Sequence, residues 1–427
     1  MKKNIAILFV ALAFGLAWAI RGHFGHEHGA AWAGAIAGLA VLVAAKRQDW
    51  ADRLPVLTAL AGIGWGVGGM MSYGIIVGYG RGVNFPNVLY GLTMLGVVGG
   101  LYGFIGGGLF GLGLESTEDN KPNWPSLLTE MIAGGLLAWY VLIAQFEWKM
   151  TPPRSELWAA CLGASVALAW FLYRYGYKRA LAVAGYAALG AGFGFGFGNF
   201  WQTMGKVSGV SFNWWNVMEF SLGFFGGLGM AYGVFTRKWP KSVASSRIAN
   251  WLAFMFLFPV LPLVNMIQAM TLEKFIRASE KVGIDNGLQF AKLQMAITFI
   301  VTVFFSFIAL LIFSRWRGKS RRARFYPPAM LFIYVLFYMA YAHIIKLIFI
   351  PGQPLHINFM LYWFVVVVLS FMWMLNRNKS FQAFAEIGTE SYARWLLLIG
   401  IVIAVLAICT LISIMSHTGL PGFHERF

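Results

Sequence analysis

Residues 4–45 read NIAILFVALAFGLAWAIRGHFGHEHGAAWAGAIAGLAVLVAA. Two uncharged runs, 4–20 and 29–45, flank a polar turn that holds three histidines, a glutamate and an arginine. Each run is long enough for a helix across the hydrocarbon core of a bilayer, which takes about 17–25 apolar residues. The pattern predicts a helical hairpin whose polar turn lies at the membrane surface.

The composition of the whole chain extends this interpretation. Hydrophobic residues make up 59% of the chain and charged residues 11%, whereas a soluble domain carries about 25% charged residues. Uncharged stretches of about 20 residues recur along the whole length, as they do in proteins built from membrane-spanning helices. Outer-membrane barrel strands are shorter and alternate in polarity. The chain is therefore predicted to be an all-α polytopic membrane protein.

We predict about 13 transmembrane helices from the positions of these stretches. An N-terminal membrane half, 1–247, carries glycine-rich helical hairpins, and a C-terminal membrane half, 248–427, holds about five helices. The predicted spans are 4–20, 29–45, 55–79, 86–114, 126–146, 157–173, 180–205, 214–236, 250–272, 293–314, 326–350, 357–375 and 395–416.

The distribution of positive charge predicts the orientation. Lysine and arginine are twice as frequent in the segments on one side of the predicted spans, and SRWRGKSRRARF (314–325) contributes most to this bias. Because positive segments stay in the cytoplasm, we expect a plasma (inner) membrane protein with a cytoplasmic N-terminus and an extracytoplasmic C-terminus. The net charge of +17 fits these segments and attraction to anionic lipid, so no nucleic-acid partner is expected. Cys161 and Cys409 fall inside apolar runs and indicate neither a disulfide nor a metal site.

Two regions of the N-terminal half share an ordered set of motifs. In both, a run of alternating glycines precedes a turn with two asparagines three positions apart, and a helix with paired glycines follows. With the predicted topology, these hairpins and the hairpin at 4–45 are parallel repeats whose turns converge on the outer side. The motifs are GIGWGVGG (62–69), NFPNV (84–88) and GVVGGL (96–101) in the first region, and GFGFGFG (192–198), NWWNV (213–217) and GFFGGL (223–228) in the second.

Glycine at every second position has two interpretations. On a helix it places small residues on two roughly opposite faces, so the helix either packs tightly on both sides or unwinds beside a cavity. The sequence leaves both open.

The histidine-rich turn is a candidate for chemistry. His23, His26 and His28 suit a divalent metal such as zinc, or with Glu27 a proton relay, because histidine titrates near neutral pH. A polar turn without a ligand is the third interpretation. No cofactor other than this metal is expected.

Cations and amides in the predicted outer turns are candidates for binding an anionic or sugar-like solute. Single cations at helix ends also extend to lipid headgroups without further function. The candidate binding residues are Arg21, Arg81, Asn84, Asn87, Asn199, Gln202, Asn213, Trp214 and Asn216.

Ionisable residues inside predicted spans are costly and are by default functional hypotheses. Glu219 lies one helical turn from Asn216, and His343 lies near the outer end of a later span. With Glu27, these two residues are the candidates for proton coupling.

The combination of many spans, repeated hairpins and sparse ionisable groups favours a secondary transporter of a small polar solute, coupled to protons. A membrane-embedded acyl-, glycosyl- or phosphotransferase, or a metal-dependent enzyme, at the outer leaflet is the alternative, and a channel or metal permease is the third. Expected partners are membrane lipids and the solute, and a homo-oligomer is left open.

Overall fold

The computed structural model describes residues 1–316, 325–348, 357–378 and 391–427, apart from the side chains of His26 and Trp316. These residues form helices and loops and no β-strand. The helices are α1 (Lys3–Arg21), α2 (His26–Ala45), α3 (Gln48–Ala51), α4 (Leu54–Gly68), α5 (Gly74–Tyr79), α6 (Phe85–Glu115), α7 (Trp124–Trp139), α8 (Trp158–Arg174), α9 (Lys178–Val207), α10 (Trp214–Phe235), α11 (Arg247–Met255), α12 (Leu261–Ala269), α13 (Leu272–Lys281), α14 (Gly287–Trp316), α15 (Tyr326–Ile345), α16 (Ile357–Asn376) and α17 (Tyr392–Ser416).

Two of the helices continue through π-helical turns, at Tyr140–Gln145 after α7 and at Phe256–Val260 between α11 and α12. With these continuations, eleven helical segments in the described ranges are long and apolar enough to cross a membrane, so the described part of the chain is that of a helical membrane protein. Two predicted spans, 55–79 and 157–173, correspond to the shorter apolar helices α4 and α8. The total of about 13 spans stays a prediction.

The predicted span 55–79 is broken in the structure. Helix α4 ends at Gly68, residues 69–73 are not helical, and the short helix α5 begins at Gly74. Met71 and Tyr73 in the break are buried, as expected of irregular backbone at membrane depth, which is tolerated where protein covers it. The predicted span 86–114, by contrast, is one unbroken helix, α6.

Six helices of the N-terminal half close into a ring. Helix α1 packs on α2, α2 on α4, α4 on α6, α6 on α9, α9 on α10, and α10 on α1 again. The ring therefore consists of three hairpins, α1–α2, α4–α6 and α9–α10. Helices from the second half pack outside it, with α15 against α2, α16 against α1, and α17 against α9 and α6.

The alternating glycines of α9 serve two contacts at once. A Cβ atom on Gly192 would lie 2.6 Å from the Gly96 carbonyl oxygen of α6, and one on Gly194 would lie 2.5 Å from the Ser221 carbonyl oxygen of α10. Because these distances are far below van der Waals contact, only glycine lets both neighbours approach α9 so closely. The tight-packing interpretation therefore holds for α9, which stays helical through all its glycines.

Aromatic side chains fill space between the helices of the ring. The Trp18 ring lies 5.4 Å from that of Trp65 and 5.2 Å from that of Tyr102, measured between centroids, and Phe14 lies 4.6 Å from Trp65. All four rings are at most 1% exposed. Such edge-to-face contacts stabilise packed aromatic cores. The space between α1, α4 and α6 is therefore filled by aromatic side chains.

Loops predicted to share the cytoplasmic side contact one another. The Arg47 guanidinium donates to the Trp239 carbonyl oxygen at 3.0 Å, and the Ser242 N–H donates to the Asp49 carboxylate at 2.9 Å. The loop before α4 and the loop before α11 thus lie at the same end of the helices, as the predicted topology requires, while the side of the membrane that this end faces stays a prediction. The basic segment 317–324, which supports that prediction most strongly, lies outside the described residues.

Candidate functional site

A buried ion pair joins the first hairpin of the ring to the third. The Arg21 Nη1 atom lies 3.1 Å from Glu219 Oε1 and 3.4 Å from Glu219 Oε2. Arg21 is 3% exposed and Glu219 is 1% exposed. A charge at this depth is costly unless it is paired and hydrogen-bonded, and each of these two residues supplies the other's counter-charge.

Two further donors complete the environment of the Glu219 carboxylate. The Tyr73 hydroxyl donates to Oε1 at 2.9 Å, and the Trp215 indole N–H donates to the same oxygen at 3.0 Å. Arg21 also contacts the Tyr73 hydroxyl. Three donors therefore surround one carboxylate, and they come from all three hairpins.

Local structure explains how these side chains meet. Arg21 is the last residue of α1, where the negative end of the helix dipole favours a cation. Trp215 and Glu219 are four residues apart in α10 and share a helix face. Tyr73 belongs to the break between α4 and α5, so the interruption of that span places its hydroxyl beside the ion pair.

Several polar atoms around the pair lack a partner. The Nε and Nη2 atoms of Arg21, the Tyr102 hydroxyl and the Trp65 indole nitrogen are buried and have no hydrogen-bond partner among the described residues. Buried polar groups are normally satisfied by protein, water or ligand. This centre therefore has unused hydrogen-bonding capacity, mainly of donors.

A second polar group lies at the same end of α1. The Asn216 amide donates to the Ala19 carbonyl oxygen at 3.1 Å and also contacts the Tyr362 hydroxyl. The Tyr362 hydroxyl lies 3.1 Å from His23 Nε2, and Asn213 contacts Asn216. These residues connect α1 and α10 of the ring with α16 of the second half.

The histidine-rich turn is only partly buried. The side chain of Glu27 is 43% exposed and lies 3.5 Å from His28, whose side chain is 24% exposed. Glu219, the other carboxylate predicted to take part in proton coupling, is paired with Arg21 and 1% exposed, and a joint role of Glu27 and Glu219 stays a prediction. In the described part of the chain, no three histidine, cysteine, aspartate or glutamate side chains could share a metal ion. The His26 side chain lies outside that part, so the metal prediction stays untested.

Most of the predicted solute-binding residues fall into two clusters. One is the group around Arg21 and Asn216. In the other, Arg81 donates to Gln202 at 2.9 Å, the Asn199 amide donates to Gln202 at 3.3 Å, and the Asn87 amide donates to the Tyr79 carbonyl oxygen at 3.2 Å. Asn84 is exposed at the start of α6, and the Trp214 indole donates to the Val210 carbonyl oxygen at 3.0 Å.

His343 is buried between α15 and α16. Its Nδ1 atom lies 2.6 Å from the Met339 carbonyl oxygen, and the Trp363 indole donates to its Nε2 atom at 3.2 Å. These partners fit a neutral ring with the proton on Nδ1. The Phe359 ring separates His343 from His23, with centroids 4.7 and 5.4 Å away.

Sequence reasoning missed Tyr73 and Tyr362. Tyr73 follows a glycine-rich run that reads as one continuous span, and only the polar residues of MSYG (71–74) indicate an interruption. Tyr362 lies in an uninterrupted apolar run, where an aromatic residue is expected to face lipid. No signal in the sequence separates it from its neighbours.

Comparison with protein-family models, with curated proteins and with solved structures found no match to this chain. Its class is that of membrane-embedded helical proteins with a buried polar centre. Its function is therefore inferred from the geometry of the chain itself.

Proposed function

We propose that the protein is a secondary transporter of a small polar solute and that the Arg21–Glu219 pair couples transport to protons. The observation that carries the proposal is the break between α4 and α5, which brings Tyr73 onto a buried ion pair. Interrupted helices beside buried charges are typical of transporter binding sites.

The ion pair is suited to coupling because its partners belong to different hairpins. Protonation of Glu219 removes the counter-charge of Arg21 and weakens the contact between α1 and α10. The guanidinium then has to turn toward another acceptor, such as an anionic solute. Proton binding and solute binding are linked in this way through one residue, which is the reciprocity that coupling requires.

The unpartnered donors favour the solute class. The Nε and Nη2 nitrogens of Arg21 and the Tyr102 hydroxyl are free to donate, and an arginine fork with a nearby hydroxyl matches a carboxylate or a sugar hydroxyl group. The cluster around Arg81 is a second binding site for the same solute.

The hairpin repeat belongs to this proposal. The closed ring of three hairpins supports a common origin for the hairpins at 55–114 and 180–236, with 4–45 as a degenerate third copy. Superposition of the two glycine-rich hairpins with similar helix crossings is the expected outcome. Unrelated crossing geometry would reduce the motif matches to a coincidence of glycine content.

One observation favours the alternative, a membrane-embedded transferase acting on lipid. A groove of about 230 Å³ between α1, α10 and α16 is apolar along most of its length and has Asn216, Asn358 and Tyr362 in its lining. An apolar lining with a few polar groups matches the acyl chain and polar head of a lipid. The aromatic centre of the ring gives less support to the third candidate, an open channel.

Proteoliposomes distinguish the two leading candidates. Vesicles that contain a pH-sensitive dye are given gradients of small carboxylates and sugars in turn, and a transporter acidifies or alkalinises the lumen for at least one of them. The Glu219→Gln variant, compared at equal folded fraction, is expected to abolish this proton flux, while Glu118→Gln, at an exposed carboxylate, keeps it. Lipid product in the same vesicles without solute-driven flux would support the transferase instead.

A further inference from the structure

The segment that follows α17 folds back onto the turn between α5 and α6. The His424 N–H donates to the Gly78 carbonyl oxygen at 3.2 Å. The Asn87 side chain binds the segment at two points, because its amide donates to the His424 carbonyl oxygen at 3.0 Å and its Oδ1 atom accepts from the Arg426 N–H at 2.8 Å. Asn87 is fully buried, so the side chain that holds the segment is itself fixed by the surrounding protein.

Side chains of the segment reach a second loop. The Arg426 guanidinium lies 4.7 Å from the centre of the Tyr90 ring and donates to the Lys149 carbonyl oxygen at 2.6 Å. The Phe427 ring lies 5.4 Å from the Tyr90 ring. The segment therefore spans the gap between the α5–α6 turn and the loop that precedes α8.

Two glycines make the close approach feasible. A Cβ atom on Gly78 would lie 2.1 Å from the His424 ring, so the imidazole rests directly on the α5 backbone. Gly422 has a φ of +73°, a conformation that favours glycine, and a Cβ atom there would lie 3.2 Å from the Arg81 guanidinium. The segment thus passes beside Arg81, the cation of the second polar cluster.

The attachment consists of a few hydrogen bonds and ring contacts. Residues 421–427 remain exposed apart from these contacts, and no large apolar side chain of the segment is buried. Segments held in this way open locally at low cost and are the usual movable parts of a fold. The segment is consequently bound at a few defined contacts and can dissociate from the fold without unfolding it.

We propose that residues 417–427 form a strap that closes over the α5–α6 turn and controls access to Arg81 and the amides behind it. The occupant of this surface is the chain's own segment, recognised through its backbone by Asn87 and through Arg426 by Tyr90. When the strap is released, Arg81 is open to the aqueous side. Control of solute entry by the strap rests on the proposed transport function, whereas the closure itself does not.

A full-length pair of variants tests the closure. Gly78→Ala places a methyl group against the His424 ring and is expected to displace the strap, while Gly74→Ala in the same short helix meets nothing within 4 Å. In each variant, Arg81→Cys reports access through its rate of labelling by a membrane-impermeant maleimide. We expect labelling at least fivefold faster with Gly78→Ala than with Gly74→Ala.

Hydrogen exchange supplies a second measurement that does not alter Arg81. Faster exchange of the 78–90 peptide is expected with Gly78→Ala and after removal of residues 417–427, and unchanged exchange is expected with Gly74→Ala. Equal maleimide labelling in both glycine variants, with unchanged exchange, would overturn the strap. Because neither measurement uses transport, altered access without any solute flux would leave the strap in place and count against the transporter alone.

Discussion

The Arg21 guanidinium donates to the Glu219 carboxylate at 3.1 Å although 198 positions separate the two residues in the chain. The contact is the charged link between the first and last helices of the six-helix ring. Because both side chains are buried, the two helices separate only if two charges are exposed to an apolar environment.

Loss of either partner of this pair should destabilise the fold more than loss of both. Glu219→Met or Arg21→Met leaves one uncompensated buried charge and should cost about 3–5 kcal/mol, whereas the double variant Arg21→Met/Glu219→Met should regain most of that loss. Thermal unfolding in detergent measures the cycle, with Glu118→Gln as a neutral control. A double variant less stable than both single variants would refute the pairing.

Removal of the Tyr73 hydroxyl should separate function from folding. Tyr73→Phe deletes one of three donors to Glu219 and should reduce stability by about 1–3 kcal/mol, while solute-driven proton flux falls at least tenfold. Flux in proteoliposomes at matched protein content is the measurement, and Tyr140→Phe, at an exposed tyrosine, is the control. Normal flux in Tyr73→Phe would show that the break in α4–α5 does not contribute to coupling.

The contact between α6 and α9 should tolerate no added methyl group at its closest point. A Cβ atom on Gly103 would lie 2.2 Å from the Ala187 carbonyl oxygen, whereas one on Gly100 would lie 3.8 Å from the Ala188 carbonyl oxygen. Gly103→Ala should therefore cost about 1–3 kcal/mol through overpacking, and Gly100→Ala should be close to neutral. Thermal midpoints of the two variants give the comparison, and equal midpoints would contradict the packing.

Acid should weaken the loop cluster around Asp49. Burial disfavours the charge of Asp49, but hydrogen bonds from the Arg47 side chain and the Ser242 N–H outweigh it, so its pKa is lowered from 3.8. A carboxyl whose folded pKa is depressed contributes stability above its unfolded pKa and loses it as pH falls through the folded pKa. The difference in thermal midpoint between the parent and Asp49→Asn should thus be constant at neutral pH and shrink below about pH 4. A difference that grows in acid would reverse the assigned sign.

The predicted orientation is open to a direct labelling experiment. Ser208→Cys, in the exposed turn between α9 and α10, should react with an impermeant maleimide on intact cells, and Asp119→Cys, in the loop after α6, should react only after lysis. Cys161 and Cys409 are buried, so background labelling should be low. The opposite pattern would invert the topology.

Local sequence patterns were sufficient to predict the helices but not their partners. Uncharged length identifies a span because the bilayer imposes it on each segment separately. The Arg21–Glu219 pair depends on the depth and rotation of two helices from different hairpins, which are determined by close glycine contacts such as that of Gly194 on Ser221. The cost of a carboxylate within an apolar span singles out Glu219, but no local pattern indicates Arg21 as its counter-charge.

The irregular parts were the least predictable. Hydropathy sums over a window, so a five-residue interruption such as 69–73 does not change it. His424 and Arg426 of the C-terminal segment make hydrogen bonds through backbone atoms. Because all residues except proline carry the same backbone groups, such contacts leave no pattern in the amino-acid sequence.

The closed ring also has a consequence for synthesis of the chain. Helix α1 leaves the ribosome with Arg21 at its end, and Glu219 follows 198 residues later, which at about 5–20 residues per second amounts to about 10–40 s. During that interval the nascent hairpin α1–α2 holds a cation without its native counter-ion, next to hydrocarbon or in the insertion machinery. Arg21 therefore has to stay at the headgroup level until α10 arrives, and ring closure becomes the last step of biogenesis for the N-terminal half.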